Sequence, residues 1–199
     1  MGKCVAYVAA AIVFIGIGAL VAGVCVWFLA PRDGSIQGIQ EIRHARCVFQ
    51  SKYGISGIVH LEEFGPGQNN PLTINANISG LSAGLHGFHI HAFGMPENGD
   101  CMACGGHYNP KGFNHSAPTS PERHVGDLGN INSTADSDIT IVHIDDPIAS
   151  LWGHDSIVGR SVVVHADEDD FGLIDSKESR TTGSAGLRLA CCTIYLIAN

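Results

Sequence analysis

His89 and His91, then His107, His115, His124 and Asp127, and far downstream His165 constrain this chain more than any other feature. If they act together, the fold must carry seven side chains from distant segments to one place. The spacing His89-Ile90-His91 predicts a strand with both imidazoles leaving the same face. His107, His115, His124 and Asp127 fall in a stretch rich in Gly, Pro and Asn, where nitrogen donors with one hard carboxylate suit a divalent transition metal. His165 ends the apolar run Ser161-Val162-Val163-Val164 and closes the set. Singly, each histidine reads as an ordinary hydrogen-bonded or wet side chain. Together they read as a metal centre.

The remaining pattern supports a β fold around them. Ser56-Gly57-Ile58-Val59-His60-Leu61-Glu62-Glu63 and Leu72-Thr73-Ile74-Asn75-Ala76-Asn77-Ile78-Ser79 alternate apolar with polar across the turn signature Gly65-Pro66-Gly67-Gln68-Asn69-Asn70-Pro71. Ile139-Thr140-Ile141-Val142-His143-Ile144 repeats the alternation after Asp136-Ser137-Asp138, and residues 187–197 read as a last strand. No helical period appears after Pro31. Short strands, about eight of them with turns between, predict an all-β antiparallel sandwich or barrel. Residues 93–123 carry no strand pattern, and a loop of that length is expected to be functional, here ordered by metal ligation. Residues 145–157 and a polar loop running from Asp167 to Ser184 are further long connections.

The N-terminus belongs to a different class of sequence. Residues 4–30 carry no charge, and the run 5–29 exceeds the ~20 residues that span a bilayer and the ~7–15 of a signal-peptide core. Residues 1–30 are therefore expected to be one hydrophobic helix, a transmembrane signal anchor, with Lys3 favouring a cytoplasmic N-terminus and an exported domain. The alternative is secretion after signal cleavage near Val21-Ala22-Gly23. Residues 31–44, with Gly34, Ser35 and Gly38, read as a linker, and 45–199 as the domain. Of 11 Lys and Arg against 19 Asp and Glu, only Lys3 precedes Arg32, so the domain is acidic and no nucleic-acid partner is expected. An anionic substrate would need a local positive funnel. Three sequons, at Asn77, Asn114 and Asn132, are compatible with export.

Several separated motifs carry a resemblance. Gly84-Leu85-His86-Gly87-Phe88-His89-Ile90-His91, Gly106-His107-Tyr108-Asn109-Pro110, Glu122-Arg123-His124-Val125-Gly126-Asp127-Leu128-Gly129-Asn130, Gly159-Arg160-Ser161-Val162-Val163-Val164-His165 and Gly186-Leu187-Arg188-Leu189-Ala190-Cys191 resemble the copper/zinc superoxide dismutase family, from about Arg46 to the C-terminus. One residue more than the family has lies between His91 and Cys101. The resemblance implies an eight-stranded antiparallel Greek-key β-barrel or sandwich with long metal-binding and active-site loops. It also implies that superoxide is converted to dioxygen and hydrogen peroxide by Cu(II)/Cu(I) cycling, with antioxidant defence as the role. Copper would be held by His89, His91, His107 and His165, and zinc by His107, His115, His124 and Asp127, with His107 as both bridge and acid. Asp169 would link ligands on the two sides from behind, Arg188 would attract the anion, Thr182 would narrow the opening, and His86 would be structural. Lys177, Glu178 and Arg180 occupy the charged loop in an order unlike the family's, with Thr181 where a lysine is usual. A homodimer and a copper source or chaperone are the implied partners.

The resemblance further pairs Cys101 with Cys191. Cys104 and Cys192 depart from the family pattern, and a second bridge between them is an expectation of this sequence, leaving Cys47 as a buried inert thiol. Cys101-Met102-Ala103-Cys104 also has C-x-x-C spacing, compatible with a metal-transfer module, a weaker reading given the complete histidine set.

Overall fold

A computed structural model describes residues 41–65, 70–134 and 138–198. The expected N-terminal helix at 1–30 and residues 31–40 of the expected linker lie outside the described residues. The end of that linker is already sheet, because β1 (Ile42–Gln50) starts earlier than the alternation suggests. It is followed by β2 (Ser56–Phe64), β3 (Leu72–Ser79), β4 (Gly84–His91), β5 (Asp127–Ser133), β6 (Ile139–Asp146), β7 (Ser161–His165), β8 (Arg188–Thr193) and β9 (Tyr195–Ile197).

Two antiparallel sheets result, in the orders β6-β3-β2-β1-β9 and β5-β4-β7-β8. Period-two patterning decides the faces. Leu72, Ile74, Ala76 and Ile78 of β3 turn inward and are buried, while Asn75 and Asn77 turn out. Phe49, Leu61, Phe88, Ile90, Leu128, Ile131, Val162 and Val164 meet them between the sheets in one core. Each such side chain contributes about 1.5–3 kcal/mol on burial. Because Phe88 and Ile90 face this core, alternation sends His89 and His91 to the opposite face of β4, under the long loop. β7 is buried along its whole length, which is why its sequence shows a continuous apolar run.

Three expectations are corrected. The last predicted strand is two strands in different sheets: the chain crosses at Ile194, whose N–H and carbonyl bond to Arg160 and Gly159, so the described residues form nine strands in place of eight. The polar loop before β8 contains a helix, α1 (Lys177–Thr182), capped by the Ser176 hydroxyl accepting from Ser179 N and ended by Gly183 at φ 63°. Six residues are too few to display a helical period. Finally, Cys192 is bonded to Cys47, not to Cys104, which is a buried free thiol. Neighbouring strand residues point oppositely, so Cys191 reaches out to Cys101 of the loop while Cys192 reaches in to β1.

Candidate metal centre

The long loop is tied down by backbone as well as by side chains. Tyr108 N donates to Ile90 O at 2.8 Å, Gly126 N to Tyr108 O at 3.0 Å, and Ile90 N to Gly126 O at 2.9 Å. This three-way contact is so close that a Cβ on Gly126 would stand 2.0 Å from Ile90 O. It places His107 beside His91 and brings His124 and Asp127 in from the other direction. Arg123 completes the clamp: fully buried, it donates to the carbonyls of Pro118, His124, Val125 and Asp127 and forms an ion pair with Asp146. The sequence shows Arg123 only as part of a motif, and nothing in its pattern announces a buried guanidinium.

All seven predicted ligands converge in two groups that share His107: His89, His91, His107 and His165, and His107, His115, His124 and Asp127. In the second group one carboxylate oxygen, Asp127 Oδ1, lies 2.8, 2.8 and 3.0 Å from Nδ1 of His107, His115 and His124. The His115 contact has hydrogen-bond length without hydrogen-bond alignment, since Nδ1 has no bonded partner. Donors aimed at a common point behave this way. Zinc bonds of ~2.0–2.1 Å in a tetrahedron separate ligand atoms by about 3.3 Å, so these contacts need only widen by a few tenths of an ångström. In the first group His91 Nε2 and His165 Nε2 are 3.2 Å apart, and the buried atoms His89 Nδ1 and His107 Nε2 have no partner. Of the five buried side-chain polar atoms without a hydrogen bond among the described residues, three are ring nitrogens of this cluster. The donor set fits two metals: imidazoles without thiolate on one side, three nitrogens and a carboxylate on the other.

The outer nitrogens explain why the inner ones are bare. His89 Nε2 and His115 Nε2 donate to the two oxygens of Asp169, at 2.9 and 2.7 Å. His91 Nδ1 donates to Gly105 O, His165 Nδ1 to Gly186 O and His124 Nε2 to Phe113 O. Each bond puts a ring proton on the outer nitrogen, so that in the neutral ring the lone pair turns inward. His107 alone has both nitrogens inside. Asp169, His89 and His115 also have metal-like spacing, but Asp169 Oδ1 additionally accepts from Phe171 N at 2.8 Å, and hydrogen bonding accounts for the trio. Gly183 backs this carboxylate so tightly that a Cβ there would lie 1.9 Å from Asp169 Oδ1. His86 has its ring nitrogens 2.9 Å from the carbonyls of His165 and Ser82, outside both groups.

Burial lowers His89 to about 4 and, with the neighbouring imidazoles, His107 and His165 to about 3; His91 also falls well below its ordinary value. Burial pushes His115 down as well, but the Asp127 and Asp169 carboxylates beside its two ring nitrogens outweigh it and raise it to about 9. Burial likewise opposes ionisation of the two carboxylates, yet hydrogen bonds from the histidines hold both below the usual carboxylate range. The signs give a testable pH dependence for the metal-free protein. Below the unfolded value of about 6.5, the unfolded chain takes protons that His89, His107 and His165 refuse, so stability falls from there toward pH 3–4. His115 contributes below about 6.5 and loses that contribution as pH rises through 9. Urea midpoints of the metal-free protein are therefore expected to peak near pH 6.5, and a monotonic rise to pH 9 would contradict the arrangement.

Arg188 is half-buried at the start of β8, and its Nη1 donates to Cys101 O at 2.7 Å and Met102 O at 3.3 Å. The Cys101–Cys191 disulfide thus sits beside the carbonyls that aim the guanidinium. A groove of about 350 Å³ lined by Tyr53, Cys101, Met102, Leu187 and Arg188 adjoins it, without any of the clustered imidazoles. Thr182 ends α1 with its hydroxyl donating to Glu178 O. Arg180 is paired with Asp175 and lines a cavity with Phe113, Glu122 and Phe171, while Lys177 remains exposed.

A family model described as copper/zinc superoxide dismutase matches residues 55–194. An extracellular Cu-Zn superoxide dismutase of Caenorhabditis elegans is 46% identical over 165 residues, covering 80% of this chain and 72% of the relative. Two Cu-Zn superoxide dismutases of Dictyostelium discoideum, numbered 5 and 4, are 45% identical over 152 residues and 47% over 147, covering 76% and 74% of this chain and 97% and 94% of their own lengths.

Proposed function

Because this chain belongs to the copper/zinc superoxide dismutase family, and is thereby an oxidoreductase that converts superoxide to dioxygen and hydrogen peroxide with copper and zinc as cofactors, we propose a role for each residue of the centre. His89 Nδ1 and Nε2 of His91, His107 and His165 would hold copper. Nδ1 of His107, His115 and His124, with Asp127 Oδ1, would hold zinc. The observation that carries this reading is that His107, alone among the six histidines, has no outer hydrogen bond and presents one nitrogen to each group. Copper, when bound, supplies the one-electron chemistry by cycling between Cu(II) and Cu(I). When it is not acting as a ligand, His107 Nε2 would take a proton from solvent and give it to the departing peroxide, whose second proton comes from solvent. Asp169 keeps His89 and His115 in the tautomers that leave Nδ1 free. Arg188 offers the substrate anion charge and N–H donors, and Thr182 narrows the approach.

Metal analysis of the purified protein, followed by superoxide disproportionation before and after copper chelation, tests this. One copper and one zinc per chain with chelator-sensitive activity are expected; zinc alone without activity would leave a structural metal site. With Arg180 engaged by Asp175, guidance of the anion falls to Arg188 and Lys177. Activity is expected to fall as salt rises, and Arg188→Ala to retain copper while slowing turnover by roughly 10-fold and flattening the salt dependence. Unchanged salt dependence in Arg188→Ala would remove its steering role.

The domain is proposed to work outside the cytoplasm, anchored by the apolar run 5–29, with secretion after cleavage as the alternative. Supporting this are the length of that run, the sequons and the extracellular relative in C. elegans. Among the described residues no helix is long and apolar enough to cross a membrane. A second copy of the chain and a copper source or chaperone are the proposed partners.

A further inference from the structure

Arg188 is held through one of its three nitrogens. Nη1 donates to Cys101 O and Met102 O, while Nε and Nη2 make no hydrogen bond among the described residues. The direction of those free N–H groups therefore follows the two carbonyls, and the carbonyls follow the short 3-10 turn Cys101–Cys104. The disulfide to Cys191 fixes this turn at Cys101. Asp100 fixes it from the other end. Its Oδ1 accepts from Met102 N at 3.0 Å and its carbonyl from Ala103 N at 3.1 Å, so one residue satisfies both amides at the open start of the turn.

Asp100 is itself set by the segment before it. Met95 N donates to Thr193 Oγ1 at 2.9 Å, which ties the segment to β8. Gly99 N donates to Pro96 O at 2.9 Å with Gly99 at φ 72°, a left-handed conformation that suits glycine. Asp100 N donates to Asn98 Oδ1 at 3.1 Å. The carboxylate is exposed and lines the same groove as Arg188. Burial lowers Arg188 from the ordinary guanidinium value, and Cys104 and Asp100 act against that lowering. A carboxylate so placed also stands beside the approach of an anion to the guanidinium, where like charge repels. We propose that Asp100 is a positioning residue for Arg188 with two opposed effects: its side-chain oxygen caps the turn whose carbonyls aim the guanidinium, and its charge restrains the field that draws superoxide in. The inference rests on the role of Arg188 given above. Asparagine separates the two effects, because it caps about as well as aspartate and carries no charge, while alanine does neither.

Dismutase activity, metal content and amide hydrogen exchange are to be measured on the full, metal-loaded chain as salt is raised, for Asp100→Asn and Asp100→Ala, alone and combined with Arg188→Ala. Asp100→Asn is expected to be roughly 2-fold faster than the parent at low salt, the two converging at about 1 M, where the Debye length is ~3 Å. Asp100→Ala is expected to be roughly 3-fold slower than Asp100→Asn at every salt concentration, with faster amide exchange at residues 101–104. On the Arg188→Ala background the difference between the two substitutions should vanish. The same salt profile in Asp100→Asn as in the parent overturns the restraining charge. Equal turnover and exchange in Asp100→Ala and Asp100→Asn overturn the cap. A difference that persists on Arg188→Ala overturns positioning through Arg188, as does loss of copper or zinc in either single variant, since Asp100 would then act on the metal loop as a whole. Failure of the Arg188 reading shows separately, as the parent's salt dependence in Arg188→Ala alone, and takes this inference with it.

Discussion

His107→Ala abolishes dismutase activity and lowers retention of both metals, because it removes the one ring whose two nitrogens serve both groups. The fall should exceed the ~10–100-fold in affinity or activity that loss of an outer hydrogen-bond partner costs. The same assay on Asp169→Asn calibrates that smaller effect, since Asp169 meets the clustered rings only at the outer nitrogens of His89 and His115. Equal loss of zinc and activity in the two variants would show that His107 does no more than an outer partner. Retained copper with full turnover in His107→Ala would dismiss the shared-ring reading.

Arg123→Met should destabilise the domain by about 3–5 kcal/mol, because the Asp146 carboxylate remains buried without its cation. Four backbone carbonyls also lose donors, those of Pro118, His124, Val125 and Asp127. At roughly 2–4 °C per kcal/mol, melting of the metal-free protein should fall by on the order of 10 °C. Pairing the change with Asp146→Leu removes the stranded charge and should recover part of the loss. Asp146 Oδ1 also accepts from Ile148 and Ala149 N–H groups, which sets the limit of that recovery. A single variant that melts with the parent protein would mean the loop is held by metal alone.

The cluster of histidines and Asp127 was legible in the sequence because few residue types bind such metals and alternation on β4 leaves His89 and His91 one common face. The strands were legible where one side of a sheet is wet, as in β3, and their number was misjudged where the chain changes sheet at Ile194 without a turn residue to mark it. Cys192 was mispaired for a related reason: nearness in sequence to Cys191 suggested a shared destination, whereas alternation assigns adjacent strand residues opposite ones. Arg123 and Gly183 act through distances of closest approach to Asp146 and Asp169, and such distances exist only after folding.

The two disulfides leave adjacent positions on β8 and close chain segments of 145 and 90 residues' separation, one nested inside the other. Once Cys101 is joined to Cys191, the covalent path from Cys47 to Cys192 shortens to about 55 residues, through the first crosslink. In the chain-entropy model the pair therefore restricts the denatured ensemble by about 0.9 kcal/mol less than two independent loops would. Whichever bond forms first makes closure of the other easier, so oxidation of this domain should be cooperative.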